Sequence, residues 1–315
     1  MKQSASELKI PAKVATEELP PATGRQFGIP RRFVFFLGYV AILAGVFFAP
    51  LRTWSSYASG SDVHSYVLLI PLVTAYLIYI RWSQLPREYH SSPSFAVAPI
   101  IGGVVALLAS WQFQDRLNQG DYVTVIVAAF VCFVVAGVYL ILGQNWMRSA
   151  AFPMAFLIFM IPLPSAAIDF LEIASQNASA EVANLLFIIT GTPTLRDGNV
   201  FQLPGMVIRV AQECSGIRSS LVLLITSLLA GHLFLRTPTR RAILLASVIP
   251  LGLLRNGFRI LVVALLCVHI GPEMINSPIH RKGGPIFFAA SLVPLFVLLW
   301  GLYRSEQRIH PLQKT

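Results

Sequence analysis

Long apolar runs separated by short polar turns dominate the chain. A helix needs roughly 20 mostly apolar residues to cross about 30 Å of hydrocarbon. Eight segments meet or approach that length, at about 33–50, 64–80, 95–110, 122–143, 150–168, 217–235, 242–262 and 285–303. The second and third are short and call for a thin crossing or an extension into their flanks. An even number of crossings would put both termini on one side. The pattern predicts an all-α integral membrane protein of about eight transmembrane helices, filling residues 31–304. Residues 1–30 are polar and Pro-containing, and are expected to form a disordered cytoplasmic tail, with 305–315 a second one. No small-residue cleavage pattern follows the first apolar run, so a cleavable signal peptide is not expected.

The periodicity changes once. Residues 169–216, between the fifth and sixth predicted spans, are the one long polar excursion. Asp169, Glu172, Gln176 and Asn184 recur at helical spacing beside apolar neighbours, which describes a short amphipathic helix near the membrane surface. After it, Asp197-Gly198 is a hairpin turn signal flanked by β-prone runs such as Val207–Val210. The run from Ile260 to Gly271 is too short to cross again, and is either the end of a long helix or a re-entrant piece within 260–284.

Composition agrees with the membrane reading. Of 315 residues, 55% are hydrophobic and 12% charged, against about 25% charged in a soluble domain. The mean hydropathy is +0.67. Too little polar residue is available to cover a water-soluble particle. The net charge of +10 would suit a nucleic-acid partner, but its distribution argues otherwise. With the amino terminus placed in the cytoplasm, 15 of the 24 Lys and Arg fall on the cytoplasmic side, and the charges of the other side cancel. Such a bias is a topology signal. It predicts a multi-pass protein of the cytoplasmic (inner) membrane with both termini inside, in contact with lipid and not with nucleic acid.

The candidate chemistry gathers on the predicted outer side. In AQECSGIRSS (211–220) a cysteine stands where a helix begins, with Ser215 a plausible N-cap. Free amides, the helix dipole and Arg218 one turn along would favour the Cys214 thiolate, and Glu213 would oppose it. RNGFRI (255–260) sets Arg255, Asn256 and Arg259 in apolar sequence, where charge is costly and usually functional. Arg255 is expected to snorkel to the outer head groups, and Arg259 to serve a site. His280 precedes the last span on the same side. Cysteine, histidine and arginine together supply a nucleophile, a general acid/base and a stabiliser of developing negative charge. His64 could line the same cavity or simply start a helix. Cys132 and Cys267 lie in apolar runs and are expected to pack. There is no CxxC pair and no carboxylate at ligand spacing from His232 or His269, so neither metal nor cofactor is expected. No HExxH, GxSxG or Walker pattern occurs. A competing reading needs no thiol: a transporter or polysaccharide-assembly component in which Arg259 and His280 bind an anionic substrate.

Taken in order, these elements resemble the exosortase/archaeosortase family of membrane cysteine transpeptidases. The resemblance rests on DVHSYVLLIPLVTAYLIYIRW (62–82), DGNVFQLPG (197–205), ECSGIRS (213–219), NGFRI (256–260) and the stretch from His280 to Phe288. It covers roughly residues 33–303. It implies an active site on the extracytoplasmic face, with Cys214 the nucleophile, Arg259 the arginine and His280 the histidine. Arg255 and Arg218 remain possible sharers of the Arg259 role. The implied substrates are exported proteins with a PEP-CTERM-like carboxy-terminal sorting signal, made of a short motif, a tail helix and a basic cluster. Cleavage would pass through a Cys214 thioester and end in transfer to an envelope acceptor.

Overall fold

The computed structural model describes residues 30–61, 63–210, 216–277 and 283–309, so Cys214 and His280 lie outside the described residues. Among the described residues, five helices are long and apolar enough to cross a membrane, or seven if each of two bent pairs is one span. The expected many-span helical membrane protein is borne out, with five to seven spans counted among the described residues where about eight were expected. The segment expected at 64–80 forms the shorter apolar helix Ser65–Ile80. Its first five residues are a tight 3₁₀ turn, Ser65–Leu69. At 1.5–2.0 Å per residue its length falls just short of the roughly 30 Å hydrocarbon core.

Prolines account for both bends. The first expected span divides into α1 (Arg31–Val46) and α2 (Phe48–Gly60), which meet at 77°. Pro50 cannot bond back to residue 46, and its ring would collide with that carbonyl, so α1 ends there. After α3 (Ile70–Ile80) come two long helices, α4 (Pro93–Gln112) and α5 (Gln119–Gly137), followed by the short α6 (Gln144–Ser149). The span expected at 150–168 is also divided. The segment Ala151–Met160, whose first part is α7 (Ala151–Phe156), turns by 89° into α8 (Ser165–Ile189). Ile161 is extended, as a residue before proline should be, and Pro162 and Pro164 keep the chain out of helix until Ser165. The amphipathic helix expected over 169–191 is therefore α8, at 25 residues longer than anticipated.

A three-stranded antiparallel sheet follows, where a single hairpin was expected. It comprises β1 (Leu195–Asp197), β2 (Val200–Leu203) and β3 (Met206–Arg209). Phe201 pairs with Ile208, and both face inward. Then come α9 (Ile217–Phe234), α10 (Pro238–Ala246), α11 (Val248–His269) and α12 (Gly284–Ile309). Among the described residues of 260–284, the apolar run from Ile260 is the end of a long helix: α11 continues to His269, and a 3₁₀ turn, Pro272–Asn276, follows it.

The packing forms three apolar clusters. The largest joins α1–α7 around Trp54, Trp146 and Phe156, with Leu221, Ile225 and Leu228 of α9 against it. The second sandwiches Phe201, Ile208 and Val210 of the sheet with Phe187 of α8 and Ile260 and Ala264 of α11. The third joins α9, α10 and α12 through Leu223, Leu244 and Leu295.

Polar contacts group the helix ends in two sets. At the basic end Arg32 Nη1 donates to the Tyr89 carbonyl at 2.8 Å, and Phe33 packs on Trp82 and Trp146. At the same end Glu306 accepts from the Arg236 and Thr237 amides at 3.0 and 2.7 Å and pairs with Arg240 at 3.5 Å. At the other end Trp54 reaches the Met160 carbonyl at 3.1 Å, and Asp121 accepts from the Ser165 amide and hydroxyl at 2.7 and 2.8 Å. Segments that the charge pattern assigns to a shared side are thus joined by direct contacts. Removing the Glu306 carboxylate strands two amides next to buried surface. Glu306→Ala should therefore lower stability by about 1–3 kcal/mol, read as a lower thermal midpoint in detergent, with Glu306→Gln recovering part of the loss.

Candidate active site

The site is built where α8 and α11 cross the start of α9. The packed face of α8 carries Ser179, Ala180 and Ala183, all small and fully covered. Gly257 of α11 lies against it, so close that a Cβ there would fall 2.6 Å from Val182 Cγ1. Small residues let two helix backbones approach in this way, which is how helices associate within lipid. The close approach brings polar side chains within bonding reach. Asn256 Nδ2 donates to Ser179 Oγ at 2.9 Å, and both groups are buried.

Two residues before Gly257 on α11, Arg255 points to the head of α9. Its Nη2 donates to the Gly216 carbonyl at 3.0 Å and to Ser220 Oγ at 3.1 Å. The residue is only 8% exposed. The expectation that Arg255 snorkels to head groups is therefore corrected: its guanidinium finds acceptors inside the protein, which removes the reason to reach for water. Arg259 stands one turn further along α11 and is half-buried, while Arg218 is exposed on the first turn of α9. Arg255 lies 17 residues beyond Pro238, about 26 Å at 1.5 Å per residue. That length puts the site at the end of the bundle away from the basic corner.

Gly216 opens α9 in a left-handed conformation, φ +69°. A Cβ there would also sit 2.8 Å from Arg255 Nη2 and 3.1 Å from Asn256 Oδ1. Glycine is needed for conformation and for space at once. The expected N-cap, Ser215, lies outside the described residues, as do Cys214, Glu213 and His280.

Of the polar stripe of α8, Glu172, Gln176 and Asn184 are half-buried while Asp169 is exposed. Gln176 Nε2 donates to the Val210 carbonyl, at the end of β3. On the flank of the same helix, Asn177 bonds Asn199 at 2.7 Å, and Glu181 forms a bidentate pair with Arg196, both bonds 2.8 Å. That pair raises the Arg196 pKa above its ordinary value. The exposed side of α8 is apolar, with Phe170, Ile173, Leu185, Ile188 and Ile189. The helix is thus inverted relative to one that floats its polar face in water. Its spacing is visible in the sequence, but the direction of the polar face is not.

His64 immediately precedes the Ser65–Leu69 turn, as the helix-start alternative has it, and is 1% exposed. Ser61 Oγ lies 3.0 Å from its Nδ1, and the Tyr57 ring packs beside it. Its Nε2 is buried without a hydrogen-bond partner among the described residues. Burial pushes its pKa down, and the Leu163 backbone offsets part of that shift. Cys267 is buried and Cys132 half-buried, in keeping with packing roles. Among the described residues no group of three or more His, Cys, Asp or Glu is placed to hold a metal ion.

These features define a multi-span helical membrane protein with a buried polar cluster at one end, formed by α8, α11 and the glycine-led start of α9. The model of the transmembrane exosortase family (Exosortase_EpsH) matches residues 53–297. The chain belongs to that family, a family of membrane sorting enzymes. No curated protein and no solved structure matches it.

Two outcomes follow for these residues. Gly216→Ala should abolish family-type processing and lower the thermal midpoint, since a strained φ costs about 1–2 kcal/mol before the clash is counted. Gly301→Ala, with open space around it, should leave both unchanged. His64 binds protons less readily folded than unfolded, so its contribution is present above about pH 6.5 and is lost as pH falls below it. A pH series of thermal midpoints should show a smaller acid-side drop for His64→Gln than for the wild type.

Proposed function

We propose that the protein is a cysteine transpeptidase that removes the carboxy-terminal sorting signal of exported proteins and passes them to an envelope acceptor. Cys214 thiolate attacks the scissile carbonyl carbon, and Arg259 stabilises the oxyanion that forms. As the carbon–nitrogen bond breaks, His280 gives its proton to the leaving amine, and a thioester to Cys214 remains. An amine or hydroxyl of the acceptor then attacks the thioester, passes its proton to His280 and frees the thiolate. The reaction belongs on the outer face of the inner membrane, where the charge bias puts the Cys214 end. There the scissile peptide sits beside its own tail helix at head-group depth.

The observation that carries this reading is the contact between two separated motifs. Arg255 and Asn256, which open the RNGFRI stretch, close on Gly216, two residues after Cys214. The family match, which covers Cys214, Arg259 and His280 alike, supports the enzymatic reading over anion transport.

Co-expression with candidate exported proteins bearing such signals, followed by intact-mass measurement, tests it. Trimmed substrate is expected with the wild type and not with Cys214→Ala, at equal membrane levels, with the added mass at the new terminus identifying the acceptor. Equal trimming by Cys214→Ala would rule the thiol mechanism out.

A further inference from the structure

The basic end of the bundle carries a cleft of about 530 Å³, a volume in the range of small-ligand sites. One wall is Pro86, Arg87 and Glu88, from the loop between α3 and α4. The other is Asn145, Arg148 and Ser149 of α6, spaced i, i+3 and i+4 and therefore on one helix face. Trp146 turns the other way and is buried. The two walls are clamped together. His90 and Gly143 form a parallel β-bridge, the Ser92 amide donates to the Tyr139 carbonyl at 3.0 Å, and the Gln144 amide donates to Ser92 Oγ at 3.2 Å. Gly143 has φ +90°, and a Cβ there would overlap the His90 carbonyl oxygen, so glycine is needed to close the bridge. The turn before it, Val138–Leu142, is π-helical, a form found frequently at functional sites.

We propose that this cleft binds the head group of a phospholipid, with Arg87 and Arg148 on its phosphodiester and Glu88 on the ammonium of an ethanolamine. Tyr79, exposed in the last turn of α3, and Trp82 and Tyr89, half-buried in the loop, are aromatic residues of the kind that sit at head-group depth. Guanidinium forks from opposite walls match phosphate oxygens, and the Asn145 amide and Ser149 hydroxyl offer further donors. Among the described residues no carboxylate pairs with either arginine, Glu88 included, so these charges are not spent on one another. Two cations and one carboxylate leave one net positive charge in the lining. That balance suits a monoanionic diester better than a dianionic phosphomonoester, and the carboxylate favours a head group that also carries an amine. A charge bias toward one side of the membrane accounts for arginines at this end. It accounts neither for a clamped cleft nor for a carboxylate set beside them. The inference is independent of the reading of Cys214.

The test uses the full-length protein, purified in detergent and stripped of lipid. Native mass spectrometry reads its binding of added phosphatidylethanolamine, phosphatidylglycerol or inorganic phosphate. Wild type is compared with Arg87→Gln, Arg148→Gln, the double variant, Glu88→Gln and Arg304→Gln. Arg304 is a cation of α12 that rests on Trp300 and does not line the cleft. All four side chains are exposed, so thermal midpoints without lipid should agree. Wild type should bind phosphatidylethanolamine more tightly than phosphatidylglycerol, and either lipid more tightly than inorganic phosphate. Each arginine variant should weaken lipid binding about tenfold, as expected for one charge-assisted contact, and the double variant by more than either single. Glu88→Gln should erase the preference for ethanolamine. Arg304→Gln should change binding by less than about twofold, the small effect of a remote exposed charge. A double variant that binds as wild type does, or an equal loss in Arg304→Gln, would overturn the proposal. So would a wild type that prefers phosphatidylglycerol, or inorganic phosphate that binds more tightly than either lipid.

Discussion

A polar group inside a bilayer has no water to fall back on, and the seam between α8 and α11 answers that constraint. Ser179, Ala180 and Ala183 on one helix and Gly257 on the other are small enough to bring the backbones together. Only at that separation does Asn256 reach Ser179, and only from that frame do Gln176 and Arg255 reach the carbonyls on either side of residues 211–215. A bulkier residue at 257 would part the helices and leave several donors in apolar surroundings with nothing to bond. The sheet leans on the same seam through Phe201 and Ile208, packed against Phe187, Ile260 and Ala264. The architecture around the candidate site therefore follows from one close contact.

Much of this was legible in the residues, because hydrophobic length and charge bias are strong signals in a membrane chain. Each of the eight apolar segments is mostly helical, and the Asp197-Gly198 turn starts a real sheet. What was not legible depends on direction and partners. Pro50 and Pro162 stand inside apolar runs that read as continuous, yet each enforces a break, and the bent pairs follow. The polar stripe of α8 has the correct period, but periodicity does not say whether it meets water or protein. With lipid on the outside it turns inward. Arg255 looked like a snorkelling residue because nothing in its own neighbourhood accepts a hydrogen bond. Its acceptors, Gly216 and Ser220, lie more than 30 residues away along the chain. Ser179 gave no signal beyond being small.

The two ends of the bundle differ in kind. The basic end is tied by charge and aromatic stacking, with Glu306 joining α12 to the turn between α9 and α10 and Phe152 lying flat on His232. The other end is tied by the Asp121 carboxylate, the Glu181–Arg196 pair, the Arg255 guanidinium and small-residue packing. At the α8–α11 crossing itself, α11 contributes the guanidiniums of Arg255 and Arg259. Cations there suit the proposed reaction, which generates an oxyanion.

The claim on which the rest stands is that α8 lies on α11 with its small-residue face, and oxidative cross-linking tests it most directly. A Cβ at residue 257 would be 3.0 Å from that of Val182, about half an ångström inside the shortest spacing a disulfide spans; Val182→Cys removes the Cγ1 that crowds residue 257, so a small shift lets the bridge form. In a background with Cys132, Cys214 and Cys267 replaced by alanine, Val182→Cys with Gly257→Cys should cross-link readily in native membranes. Leu185→Cys on the exposed side of α8, paired with the same Gly257→Cys, should not. Cross-linking of the Leu185 pair in preference to the Val182 pair would show that α8 presents its other face to α11, and the account of the site built on that seam would fail.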